Sequence, residues 1–206
     1  MPRRPRIYIP DMSLHVFPRG IHGSAIVRDE CDSEHLLGLI IRATRRRDVG
    51  VHAFALMTTH YHLIVTPSGP GALAKTMQEI GIRYTRYFNR KYARIGTVWN
   101  DRYRATLLGD ERYWYTCLRY VELNPFRAHM VSAPQDSRWS SYRMHAWGES
   151  SDWLTPHPMY LRLGSTAELR QEAYRAMCEI TLTAEELKLQ RHPQQQTANA
   201  ELTAGV

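Results

Sequence analysis

"VHAFALMTTHYHLIVTP", residues 51–67, holds two apolar runs on either side of a polar turn at Thr58 and Thr59. That arrangement predicts a β-hairpin whose second strand opens on His60 and His62. Side chains of an extended chain alternate between its two faces. His60 and His62 therefore share one face, and Tyr61, Leu63 and Val65 share the other. The apolar face suits a core. The first sets two imidazoles side by side, as a divalent cation requires. A cross-strand polar pair or a half-exposed surface would show the same pattern, so the histidines acquire meaning only from what the chain places beside them.

Outward from the hairpin, "SLHVFPRGIHG" (13–23) alternates like a strand that ends at Pro18 and Gly20. Residues 32–50 read as a helix capped by Asp32 or Ser33. Leu36, Leu37, Ile40 and Ile41 form its stripe, Arg45, Arg46 and Arg47 fill its last turn, and Gly50 ends it. A second helix is predicted from Ala72 to Tyr92, with Leu73, Met77, Ile80, Tyr84 and Phe88 at helical spacing. "TVWNDRYRATLLG" (97–109) returns to strand. Asp110 then caps a third helix expected to end near Pro125. This order predicts an α+β fold, a mainly antiparallel sheet with helices packed on one face. Residues 1–145 are expected to form the main domain. Residues 146–206 should be a C-terminal extension with a helix in "STAELRQEAYRAMCEI" and a disordered polar end.

The composition is that of an ordinary globular protein: of 206 residues, 43% are hydrophobic and 23% charged. No apolar stretch reaches bilayer-spanning length, and the basic N-terminus lacks the apolar run of a secretory signal. Cys31, Cys117 and Cys178 are odd in number and widely spaced, which argues against a disulfide framework and for a cytoplasmic protein. The net charge of +7 suggests a polyanionic partner. No acidic residue lies between Glu79 and Asp101, whereas Arg83, Arg86, Arg90, Lys91 and Arg94 do. Tyr84, Tyr87, Phe88, Tyr92 and Trp99 are interleaved with them. Arg83, Arg86, Arg90 and Arg94 recur along one helical face, either a solvated stripe or a phosphate track.

The third helix carries "RYVELNPFRAHMV" (119–131), in which Tyr120 and Asn124 are one turn apart on one face. Trp114, Cys117, Leu118 and Val121 form its apolar stripe, with Tyr120 at the edge. Taken singly, Tyr120 reads as core and Asn124 as a helix end before proline. With the histidines they make a chemical set. Two imidazoles and a side-chain carbonyl can hold a divalent ion with positions open to phosphate oxygens. A tyrosine one turn away can attack the same phosphorus and keep the bond energy as a phosphotyrosine.

At this point the chain resembles the HUH single-tyrosine transposases, in particular the REP-associated tyrosine transposases of bacteria. The resemblance runs through "MPRRPRIYIP", "LHVFPRG", "HAFALMTTHYHLIV", "RYTRYFNRKYARIGTVWNDRY", "DERYWYTCLRYVELNPFRA", "WSSYR" and "LTPHPMYLRLG". It implies a ferredoxin-like catalytic domain, Tyr120 as nucleophile, and His60, His62 and Asn124 as ligands of Mg²⁺ or Mn²⁺. It also implies cleavage of single-stranded DNA beside hairpins of repetitive palindromic elements, leaving a 5′-phosphotyrosine and a free 3′-OH. Arg83, Arg86, Arg90, Arg94, Arg102 and Arg104 are the expected DNA contacts of a monomer or homodimer associated with the nucleoid. The chain departs from the family pattern beyond "AYRAMCEI". Two other readings compete, a domesticated hairpin-binding protein that no longer transposes and a metal-dependent hydrolase in which Tyr120 is structural.

Overall fold

The hairpin expected at 51–67 forms, and the sheet is assembled around it. In the computed structural model, which describes residues 8–191, β2 (Val49–Leu56) pairs antiparallel with β3 (Tyr61–Pro67). β1 (Leu14–Phe17) pairs antiparallel with β3 and with β4 (Arg104–Leu107), giving the order β2-β3-β1-β4. α1 (Glu30–Arg46) joins β1 to β2, and α2 (Ala72–Lys91) joins β3 to β4. This is the βαββαβ connectivity of a ferredoxin-like fold.

The alternation read from the sequence holds. Tyr61, Leu63 and Val65 are buried together with Val16, Phe54 and Leu56. The α2 stripe of Leu73, Met77, Ile80, Tyr84 and Phe88 packs on them with Leu36, Leu39 and Ile40 of α1. Helices do not stop at this face, however. α3 (Glu111–Arg127) lies on the other one, where Trp114, Cys117, Leu118 and Val121 meet Ala53, Ala55 and Ile64. The two alanines explain the placement: small side chains on β2 let a helix approach the strand closely. An eight-residue strand flanked by apolar runs is covered on both sides because both of its faces are apolar.

Several local expectations shift for identifiable reasons. The α1 cap is Asp29, whose carboxylate accepts from Asp32 N. Asp32 is instead fully buried and ion-paired with Lys91, and Ser33 is also buried. Gly50 lies inside β2, since the chain turns at Arg47 and Asp48. Only residues 104–107 of the 97–109 segment are strand, although Trp99 bridges Gly20. α3 runs through Pro125 to Arg127, and backbone bonds from Ala128 to Asn124 and from Met130 to Pro125 close its end. A proline within a helix removes one donor and need not stop the chain when later bonds continue.

After α3 come α4 (Tyr142–Trp147), α5 (Pro158–Leu161), α6 (Ala167–Glu179) and α7 (Ala184–Arg191). α4 and α6 are tied to α3 through Glu122. This fully buried carboxylate accepts bonds from Ser141, His145 Nδ1 at 2.7 Å and the Tyr174 hydroxyl at 2.5 Å. A buried charge with three donors is stable, whereas an unpaired one would be costly. The helix expected in 165–180 is α6, capped by Thr166. The end predicted to be disordered falls largely outside the described residues. Among the described residues, no helix is long and apolar enough to cross a membrane.

Candidate active site

The polar face of β3 looks at α3. The register sets His62 opposite Ala55 on β2, and His60 forms an isolated bridge with Arg19 beyond the end of β1. The two imidazoles stand perpendicular with centroids 4.8 Å apart. Tyr120 descends from α3 and meets the His62 ring edge-on at 5.5 Å. The helix delivers it there because residues 114, 117, 118 and 121 anchor the neighbouring face on the sheet. The other α3 tyrosines are engaged elsewhere: Tyr115 donates to Met159 O, and Tyr113 is buried in the packing core. Asn124 follows Tyr120 by one turn on the same face.

The site is drier than a surface HxH pair would be. His62 is 2% exposed and Tyr120 8%. Burial depresses all three imidazoles in the cluster: His62 lies well below the ordinary value, His60 at about 4 and His15 at about 3. Arg19 lowers His60 further. At neutral pH these rings are uncharged and keep lone pairs for a cation.

Donor chemistry can be tested on atoms that lack partners. His62 Nε2 and Asn124 Nδ2 are both buried without a hydrogen bond, each costing on the order of 1–3 kcal/mol if left so. A half-turn of the Asn124 carboxamide exchanges its nitrogen for its oxygen. His60 Nδ1 is taken by the Thr59 hydroxyl at 3.0 Å, which leaves its Nε2. Among the described residues, no three His, Cys, Asp or Glu side chains form a ready-made metal cage. The side chains that could serve such an ion are the two imidazoles and the carboxamide of Asn124, a donor set that would suit a hard divalent cation.

The expected DNA contacts divide. Arg104 opposes Phe17 across the β1–β4 pair, and its guanidinium lies 5.8 Å from the Phe17 ring. Phe17 in turn touches His62, so Arg104 borders the site. Arg102 lines a cleft of about 450 Å³ with Tyr61, Lys75, Gln78, Trp99 and Tyr103 on the other side of β3. Arg83, Arg86 and Arg90 ride on α2, which packs on the face opposite the histidines, and Arg94 lies past its end at Lys91. They do not converge on Tyr120. Arg83 pairs with Glu79 at 3.0 Å, and Arg94 lies over Phe88. Lys91 bonds Asp29 and Asp32 of α1, a pairing invisible in the local charge pattern.

Two residues of the site escaped the sequence reading. His15 bonds His62 directly, with Nε2 2.8 Å from Nδ1. Arg127 sets its guanidinium 5.6 Å from the Tyr120 ring. The signal for His15 was its alternation with Phe17, and only the register of β1 on β3 gives that alternation a neighbour.

Residues 9–124 match the model of a family described as "Transposase IS200 like", a span that ends on Asn124 and contains His15, His60, His62 and Tyr120 but not Arg127. The chain belongs to the IS200-like transposases. No curated protein matches it in sequence. Among solved structures, a REP-associated tyrosine transposase bound to a REP hairpin is similar with a TM-score of 0.58 and 19% identity. The match covers 76% of this chain and 93% of that one. Looser likenesses are to a protein of Deinococcus radiodurans described as a transposase (TM-score 0.41, 12% identity, 66% and 97% covered) and to tRNA(His) guanylyltransferase of Saccharomyces cerevisiae (0.45, 14%, 87% and 82%). For this transposase the first likeness shows the fold.

Proposed function

We propose that this transposase is of the REP-associated type and cuts and rejoins single-stranded DNA beside a hairpin, with Tyr120 as nucleophile. The observation that carries the reading is the contact of Tyr120 with His62, a buried imidazole with an unpartnered Nε2. Attack by the Tyr120 oxygen forms a bond to phosphorus and breaks the bond to the 3′ oxygen. The phenol loses a proton and the released 3′ oxygen gains one, so the balance needs no ATP. The product is a 5′-phosphotyrosine, which the same 3′-OH or another can reverse.

His60, His62 and Asn124 would hold Mg²⁺ or Mn²⁺. When bound, the ion supplies charge stabilisation at the phosphate. Tyr120 is placed by the packing of α3, and the Arg127 guanidinium beside its ring would meet an arriving phosphate. Phe17 and Tyr120 shield the imidazoles from water. Arg104 is the first backbone contact beside the site. The Arg102 cleft, with its aromatic walls, suits unpaired bases, and the α2 arginines reach only DNA that wraps past the sheet edge.

Labelled hairpin DNA with single-stranded flanks should form an SDS-stable adduct in Mg²⁺ or Mn²⁺. Tyr120→Phe should bind the DNA with unchanged affinity and form none. An adduct from Tyr120→Phe would remove the nucleophile, and hairpin binding with no adduct from the wild type would favour a domesticated binding protein.

A further inference from the structure

His15 has no part in the chemistry above, yet it is 1% exposed and points its Nε2 at His62. The two rings are inclined by only 25°, and their centroids are 5.0 Å apart for an N···N distance of 2.8 Å. They therefore meet edge to edge along the hydrogen bond rather than stacking face to face. Phe17 lies 5.6 Å from the His15 ring and 5.5 Å from the His62 ring, and Tyr120 approaches both edge-on. Neither ring is free to turn.

A bond between two neutral imidazoles has two tautomeric forms. In one, His15 Nε2–H donates to His62 Nδ1, and the proton of His62 sits on Nε2. In the other, His62 Nδ1–H donates to His15 Nε2, and His62 Nε2 is a bare lone pair. The far nitrogens, His15 Nδ1 and His62 Nε2, are both buried without partners. Each form thus strands one buried N–H and one buried lone pair. Only the second form can accept a cation at His62 Nε2, and the cation then satisfies the atom that was stranded.

We infer that His15 is a positioning residue for the metal site, accepting the Nδ1–H of His62 so that His62 Nε2 faces a divalent cation unprotonated. The inference rests on the metal reading proposed above and assigns it a supporting partner. Metal-bound histidines commonly direct their second nitrogen at a carboxylate or carbonyl that fixes the tautomer. Here a neutral imidazole in an adjacent strand takes that place. It adds no charge to the buried site.

The test compares His15→Phe, which keeps an aromatic ring but has no acceptor, with His15→Gln, whose carbonyl can reach the place of Nε2. Mn²⁺ affinity is measured by calorimetry on the protein alone, with thermal unfolding of each variant alongside. His15→Phe should bind Mn²⁺ about 10- to 100-fold more weakly. His15→Gln should stay close to wild type, at a similar melting temperature. Equal affinities for His15→Phe and wild type, or equal losses in both variants, would overturn the role of His15 while leaving the metal site standing. Wild type that binds no Mn²⁺ would overturn the metal reading and this inference with it. An imidazole nitrogen spectrum of the metal-free protein provides the second check. One N–H should couple to nitrogens of both rings, and its absence would overturn the inference whatever the metal does.

Discussion

On one side of the sheet, Val16, Phe54, Leu63 and Val65 meet Leu36, Ile40, Ile80 and Phe88 with hardly a polar atom among them. On the other, the same strands offer His15, Phe17 and His62 to Tyr120, and polar atoms are left buried and unpaired. The first face is an ordinary core, in which every contact adds stability. The second retains unsatisfied groups that cost stability, which a protein keeps where they serve a ligand or a reaction. Adjacent residues therefore have different duties. Leu63 is packed in the core, and His62 one position earlier faces Tyr120.

The largest separation should come from that pair. His62→Ala should cut adduct formation about a hundredfold or more, since charge stabilisation by a bound ion is worth several kcal/mol, with a small change in thermal unfolding. Leu63→Ala should instead cost about 2–5 kcal/mol in urea unfolding while the folded fraction still reacts. Similar stability losses for both would erase the distinction between the faces.

Asn124 sharpens the same contrast with a smaller effect. In Asn124→Ala the metal concentration for half-maximal adduct should rise, and Mn²⁺ should rescue more than Mg²⁺, because two imidazoles hold a hard oxygen-seeking ion poorly. Asn124→Asp restores an oxygen and should keep the metal affinity. Superimposable titrations for all three proteins would remove Asn124 from the site and leave it as a helix residue before Pro125.

Salt dependence weighs the arginines on the two sides. Arg104→Ala should weaken binding of short single strands and lower the salt slope by about 0.7. Replacing Arg83, Arg86 and Arg90 together should leave short strands nearly unaffected, and lower the slope by about 2 only on long DNA if all three touch phosphate. A full loss on short strands would mean that α2, not the β4 edge, guides the DNA.

The effect of pH on stability is a separate check on the burial of the rings. Burial holds His15 at about 3 and His52, His60 and His157 at about 4, below the ordinary 6.5. Their folded values lie under the unfolded one, so unfolding takes up protons. The stability tied to the neutral rings is complete above about pH 6.5 and lost progressively as the pH falls toward 4. Urea midpoints should decline over that window, and a flat profile would place these rings in water.

Periodicity made the core face legible. Tyr61, Leu63, Val65 and the α2 stripe were visible because alternation and helical spacing are local properties of the chain. The proposed catalytic set could be assembled from the sequence because His60–His62 and Tyr120–Asn124 are each short-range pairs. What joins them is not local. His15 reaches His62 only through the pairing of β1 with β3, and Glu122 gathers Ser141, His145 and Tyr174 from two later helices. The arginine stripe was legible as a stripe, but its distance from Tyr120 depends on which side of the sheet α2 occupies. The two alanines of β2 that admit α3 carry no signal until the helix is seen to need them.

The central claim is that the face of the sheet under α3 exists to present Tyr120 to a phosphodiester. Digesting the DNA adduct and locating the modified peptide by mass spectrometry tests it directly. The account predicts a nucleotide phosphate on Tyr120 and on no other residue. A label on Tyr113 or Tyr115 would contradict it.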